Sequence, residues 1–186
     1  IEILESRYPL LHVACALRED SGGPGRSRGG LSVMRRFKVQ APELTVSALA
    51  DRHFVGPWGL FGGQEGGRQS FLIKQVGDSE FRTFAEAFGV SSPTKFDNIT
   101  VRQGDELLFE APGGGGYGDP LERAPALVLA DVQNRNVSLD AAEAAYGVKL
   151  FRQNGTLDID APATETLRSR RRQAATGASP SMASAE

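Results

Sequence analysis

The stretch Glu110-Ala111-Pro112-Gly113-Gly114-Gly115-Gly116-Tyr117-Gly118-Asp119-Pro120-Leu121-Glu122-Arg123 decides how this chain is read. Glycine costs roughly 0.5–1 kcal/mol relative to alanine inside a regular element, so a run of four needs a structural reason. Two reasons exist: a backbone with positive φ, or a neighbouring surface that comes too close for any side chain. Leu107-Leu108-Phe109 before the run reads as a strand and Pro120-Leu121-Glu122-Arg123 after it as a helix start, so the glycines form an ordered turn and not a tether. A phosphate loop requires Lys followed by Ser or Thr where this chain has Tyr117-Gly118-Asp119-Pro120. A dinucleotide loop requires a strand, glycine turn and helix with an acidic residue at a set distance, which the flanking sequence lacks. The run therefore reads as a tight structural turn or a close subunit contact in preference to a ligand cradle.

Upstream, short apolar or alternating runs predict strands at Leu10–Leu17, Leu31–Val39, Leu44–Asp51, Ser70–Gln75 and Asn98–Val101, with Gly104-Asp105-Glu106 turning into Leu107–Glu110. Along Leu31–Val39 the odd positions are apolar except Arg35, which breaks the pattern. Downstream the texture changes to helix. Pro125 suits a first helical turn, Leu129 and Val132 share a face with Leu121 and Val128 nearby, and Ser138 caps Leu139–Tyr146 ahead of Gly147 as a left-handed terminator. Val148–Phe151, Asn154-Gly155 and Thr156–Ile159 predict a hairpin with a type I′ turn, and Thr164–Arg172 a last short helix. The fold class is α+β: a mostly antiparallel β-rich domain with glycine-rich loops, then short helices and a C-terminal hairpin. We divide it into a β-rich core at 1–119, a helical and hairpin part of the same domain at 120–173, and a disordered tail at 174–186, whose Ala, Ser, Gly and Pro cannot offset their ordering entropy.

The 186 residues suffice for one domain with a sizeable core, and the 22 glycines place what is unusual in the loops. A net charge of −2 gives no reason to expect nucleic acid or a membrane surface as partner, and no apolar run reaches the ~20 residues of a bilayer span. One cysteine, Cys15, excludes an internal disulfide framework and fits a cytoplasmic setting; within an apolar strand it reads as an inert core thiol. The chain opens without Met inside what reads as a structured segment, so we expect a piece of a longer protein.

No nucleophile elbow, triad or metal set can be assembled, and His12 and His53 read as structural. The catalytic residues are unknown and no metal ligand is assigned. Arg26 and Arg28 follow Asp20 in a glycine-rich loop, where their guanidinium forks either bind a substrate carboxylate or phosphate or hold the turn through ion pairs with Asp20 or Glu19. Tyr117 and Asp119 are candidate orienting groups. Trp58 lies in Gly56-Pro57-Trp58-Gly59-Leu60-Phe61-Gly62-Gly63, a loop whose rings should pack against something. Arg168, Arg170, Arg171 and Arg172 read as a solvated helix end.

Three segments together, Asp20-Ser21-Gly22-Gly23-Pro24-Gly25-Arg26-Ser27-Arg28-Gly29-Gly30-Leu31, Gly56–Gly63 and Pro112–Arg123, resemble the hydantoinase B/5-oxoprolinase family in order and spacing. Asp131-Val132, Val137-Ser138 and Ala144-Ala145-Tyr146-Gly147-Val148 resemble the family's ending, so the likeness spans about residues 1–160. Ser27 departs from it, since the family commonly has an aromatic residue between the two arginines. The resemblance implies the C-terminal part of a B-type subunit that opens cyclic amides with an actin-like, ATP-binding A-type partner. It implies ATP and a divalent metal for the full complex, neither bound by this portion, and inactivity of this portion alone. A related ATP-dependent ketone carboxylase subunit, or a non-catalytic interaction module built around Trp58 and Tyr117, are the alternatives.

Overall fold

The computed structural model describes residues 1–177. A short helix α1 (Glu2–Arg7) leads into strands β1 (Leu10–Leu17), β2 (Val33–Val39), β3 (Glu43–Leu49), β4 (Ser70–Lys74) and β5 (Arg82–Thr83), helix α2 (Phe84–Phe88), and strands β6 (Lys95–Arg102) and β7 (Glu106–Glu110). A single 3₁₀ turn (Pro120–Glu122) then begins the helical part: α3 (Pro125–Gln133), α4 (Leu139–Ala144), the hairpin β8 (Leu150–Gln153) and β9 (Thr156–Ile159), and α5 (Ala161–Gly177). The α+β reading holds, with every pairing between the named strands antiparallel.

The main sheet runs β1-β2-β7-β4-β5. Its register places Leu10 and His12, Phe37 and Val39, Leu107 and Phe109, and Ile73 and Phe71 on one face. The two-stranded β3-β6 sheet and α2 close over that face, so Phe37, Val39, Ile73, Phe84, Phe96, Val101 and Leu107 form a buried core. Phe84 stacks on Phe96 at 4.2 Å, and each such fully buried side chain contributes roughly 1.5–3 kcal/mol. The turn before β7 depends on Asp105, which is buried and whose carboxylate accepts from the backbone N–H of Val76 and Arg102 at 3.0 and 2.8 Å.

A second core of Val128, Val137, Ala142, Tyr146 and Val148 sits under α3, α4 and the hairpin. Ser138 caps α4 by accepting from Ala141 N–H at 3.1 Å, and Gly147 has φ +63. Asn154 and Gly155 both have positive φ, 49 and 81, as the type I′ turn requires.

Three features differ from the expectations. Cys15 is exposed: a register shift between His12 and Ala14 turns it to the face of Arg35, but toward the end of the sheet that the covering core does not reach. The last helix starts at Ala161 and continues to Gly177, past the expected end at Arg172 and into the segment read as tail; the rest of that tail, 178–186, lies outside the described residues. Helix α2 carries a full capping box, with Thr83 Oγ1 accepting from Glu86 N–H and the Glu86 carboxylate accepting from Thr83 N–H, a signal present in the sequence as Thr-x-x-Glu.

Candidate functional site

The glycine segments, far apart in sequence, pack as one hydrogen-bonded bundle with 113–118 at its centre. Gly113 and Gly116 donate to the carbonyls of Gly67 and Gln64 at 2.8 and 2.9 Å, and Gly114 and Tyr117 donate to those of Gly30 and Ser27 at 2.8 and 2.9 Å. Gly118 donates to Leu60 O at 2.9 Å, on a third side. The partner segment thus repeats every third residue, the period of an extended polyproline-II-like chain, which has no internal hydrogen bonds and must make them outward. Return bonds come from Gly23 to Gly114 O, Leu60 to Gly116 O and Ser27 to Tyr117 O, at 2.8, 2.9 and 2.9 Å.

Close approach, and not positive φ, explains most of these glycines. A Cβ on Gly113 would lie 1.7 Å from Ser21 O, one on Gly115 2.0 Å from Trp58 O, and one on Gly116 1.9 Å from Pro24 O. Each neighbour is backbone, so none can rotate aside. Gly118 is the exception in the run, with φ +75.

An ionic network fastens the bundle to the helical part. The Arg28 fork donates to both carboxylate oxygens of Asp131 at 3.2 Å each, while Arg123 donates to Asp131 Oδ2 at 2.8 Å and to Arg26 O at 3.1 Å. Arg168, only 6% exposed, donates to Tyr146 O and Arg123 O at 3.0 and 2.8 Å. Burial opposes ionisation of Asp131 and is the largest single influence on it. The hydrogen bonds from Arg28 and Asn136 and the charges of Arg28 and Arg123 outweigh it together and hold the carboxyl below the ordinary aspartate range. Burial also pushes the Tyr146 hydroxyl up to about 12, and that hydroxyl has no hydrogen-bond partner among the described residues.

The six residues singled out in the sequence divide into two groups. Arg28 is committed to Asp131, which sequence reasoning did not select and whose only local signal was the Asp131-Val132 likeness. Asp20, at φ 59, accepts from Ser138 N–H at 2.8 Å, and Asp119 accepts from Leu121 N–H at 2.8 Å to start the 3₁₀ turn. Neither arginine pairs with Asp20 or Glu19. Arg26, Trp58 and Tyr117 remain at the surface. Trp58 is 65% exposed and Tyr117 44%, with Leu60 and Phe61 also exposed and the Phe61 ring 5.2 Å from that of Tyr117. The Arg26 guanidinium lies 6.0 Å from the Tyr117 ring and 3.8 Å from Glu122, and that of Arg52 lies 4.8 Å from the Trp58 ring. The bundle therefore holds aromatic side chains, flanked by arginines, outward on a rigid backbone; such patches mark interaction surfaces.

His12 meets the Phe37 ring edge-on, and His53 Nδ1 lies 3.1 Å from Gln69 O. Among the described residues no group of three or more His, Cys, Asp or Glu could hold a metal ion. No described helix is long and apolar enough to cross a membrane.

Comparison with known proteins places the chain among relatives. A profile of the family described as hydantoinase B/oxoprolinase matches residues 1–120. Caprolactamase subunit beta of Pseudomonas jessenii is 34% identical over 160 residues, which cover 85% of this chain and 26% of that subunit. 5-Oxoprolinase of Saccharomyces cerevisiae is 32% identical over 117 residues, covering 63% of this chain and 8% of that protein. The nucleotide-free structure of an acetone carboxylase superimposes with a TM-score of 0.77 at 24% identity, over 96% of this chain and 27% of that one, a likeness of fold alone. The chain thus spans about a quarter or less of the length of these relatives.

Proposed function

Because the chain belongs to the hydantoinase B/oxoprolinase family, we propose that it is the C-terminal part of a B-type subunit of a cytoplasmic, ATP-dependent enzyme that opens cyclic amides with an actin-like A-type partner. The observation that carries this reading is the family match over residues 1–120, which contains the segments 21–30 and 56–67 and all of the central run 113–118. A lactam carbonyl is a poor electrophile, and ATP, when bound in the whole assembly, supplies the phosphoryl group that activates it. This chain's own residues supply a scaffold: the glycine bundle fixes Trp58, Leu60, Phe61 and Tyr117 outward as a face for the partner, and the Asp131 network locks that face to the helical part. The residues that touch substrate belong to the rest of the assembly in this reading.

The hydrolytic branch is favoured over the ketone carboxylase branch, because the caprolactamase relative stands at 34% identity while the carboxylase likeness is of fold alone. The test is to produce the complete B-type subunit with an A-type partner and follow ADP release together with ring opening of 5-oxoproline, hydantoin and caprolactam. ADP release that depends on a cyclic amide and on both subunits supports the reading. Turnover that requires a ketone and bicarbonate, with no amide opened, overturns it.

A further inference from the structure

Arg35 is the one charged residue on the apolar face of β2, and the fold leaves it unused. The register sets Cys15, Arg35, Phe109 and Phe71 in one row across four strands. The next row toward the sheet end holds Leu17, Val33 and Ala111, the last of which donates its N–H to Val33 O at 3.0 Å. The β3-β6 sheet covers the other end of this face, and here a hollow of about 240 Å³ opens, lined by Val33, Arg35, Gln69, Phe71, Phe109 and Ala111 with Glu110 at its edge. Arg35 has no hydrogen bond, ion pair or ring contact among the described residues, and neither does the side-chain amide of Gln69. Glu110 pairs across strands with Ser70 and Met34, on the opposite face from Arg35, and its carboxylate is engaged by the Ser70 hydroxyl and Arg18. The Phe71 and Phe109 rings meet edge-on at 5.0 Å to form an apolar wall.

We propose that this hollow is a binding site for a small carboxylate attached to a flat apolar ring. A guanidinium fork without a protein partner matches a carboxylate through two parallel hydrogen bonds. The free Gln69 amide can donate a further one, and the ring packs against the two phenylalanines. The volume lies below the ~300 Å³ at which drug-sized ligands begin to fit, so the occupant is a single small ring and not a nucleotide. The hollow shares no lining residue with the aromatic face assigned to the partner, and the proposal goes beyond the functional reading.

The test is a titration of the isotopically labelled chain with sodium benzoate, followed by backbone amide shifts, with benzamide as the uncharged isostere and acetate as the acid without a ring. Saturable shifts are expected at Val33, Gln69, Phe71 and Phe109 with benzoate, with at least tenfold weaker binding of benzamide and acetate. Arg35→Met should weaken benzoate at least tenfold, Arg35→Lys by less, and Arg26→Ala not at all. Absence of saturable binding, or benzoate binding unchanged in both Arg35→Met and Arg35→Lys, overturns the proposal. Neither ATP nor a partner subunit enters the measurement, so its failure is separable from failure of the ring-opening assay.

Discussion

Gly116→Ala and Gly30→Ala are the same chemical change in two segments of one bundle, and the structure assigns them opposite consequences. A Cβ on Gly116 would stand 1.9 Å from Pro24 O and 2.5 Å from its carbonyl carbon, whereas one on Gly30 would meet nothing within 4 Å. Relieving the Gly116 contact means parting the central chain from the 23–25 segment. The bonds at risk are Gly116 N–H to Gln64 O, Leu60 N–H to Gly116 O and Gln64 N–H to Pro24 O, at 2.9, 2.9 and 2.7 Å. Gly116 is buried, and a buried backbone group left unpaired costs ~1–3 kcal/mol, so losing two of these bonds costs about 2–6 kcal/mol. Gly30 is exposed and its φ lies outside the left-handed range, so alanine there should be neutral or stabilise by ~0.4–1 kcal/mol through the unfolded chain. Urea unfolding followed by far-ultraviolet circular dichroism reads both. A midpoint for Gly116→Ala within error of Gly30→Ala would refute the close-packing argument.

Asp131→Asn removes the charge that Arg28 and Arg123 share and should destabilise by about 3–5 kcal/mol, measured by the same unfolding assay. Because the folded carboxyl titrates below its unfolded value of ~3.9, its contribution is present above that pH and is lost as pH falls through the folded value; wild type should lose stability below about pH 4 more steeply than Asp131→Asn in thermal scans across the acid range. Tyr146→Phe deletes a buried hydroxyl with no partner and should change stability by less than about 1 kcal/mol, a loss above 2 kcal/mol in urea showing that the hydroxyl is bonded after all. Cys15 should react with Ellman's reagent in the native chain without denaturant; a thiol released only on unfolding would contradict its exposure.

Elements with local signals were legible in the sequence. β1 was read with its observed ends, the Asn154-Gly155 hairpin with its turn type, and α4 with its cap and terminator. What escaped depends on contacts distant in sequence. The exposure of Cys15 follows from its place at the end of the sheet that the covering core does not reach, which alternation within one strand cannot report. Thr83-x-x-Glu86 was a readable cap for α2, passed over because the helix behind it is a single turn and a half. At the candidate site the glycine run reads as a tight turn or a close subunit contact; the contact is close but within the chain, its partners lie about 45 to 90 residues away by number, and nothing local says that 21–30 and 57–67 surround it. Arg28 reads in the sequence as holding a substrate group or, by preference, an ion pair with Asp20 or Glu19; the fold fills its fork with Asp131, brought by α3. Arg26, Trp58 and Tyr117 stayed at the surface because the bundle below them is backbone and offers their side chains no room.

The central claim is that the bundle presents an aromatic face on which the partner subunit assembles. Co-purification of a complete B-type subunit carrying Trp58→Ala and Phe61→Ala with its A-type partner tests it most directly. Both side chains are more than half exposed, at 65% and 79%, so the unfolding midpoint of the variant should match wild type. The account predicts loss of the complex at an unchanged midpoint; a complex that survives both substitutions and turns over at the wild-type rate would contradict it.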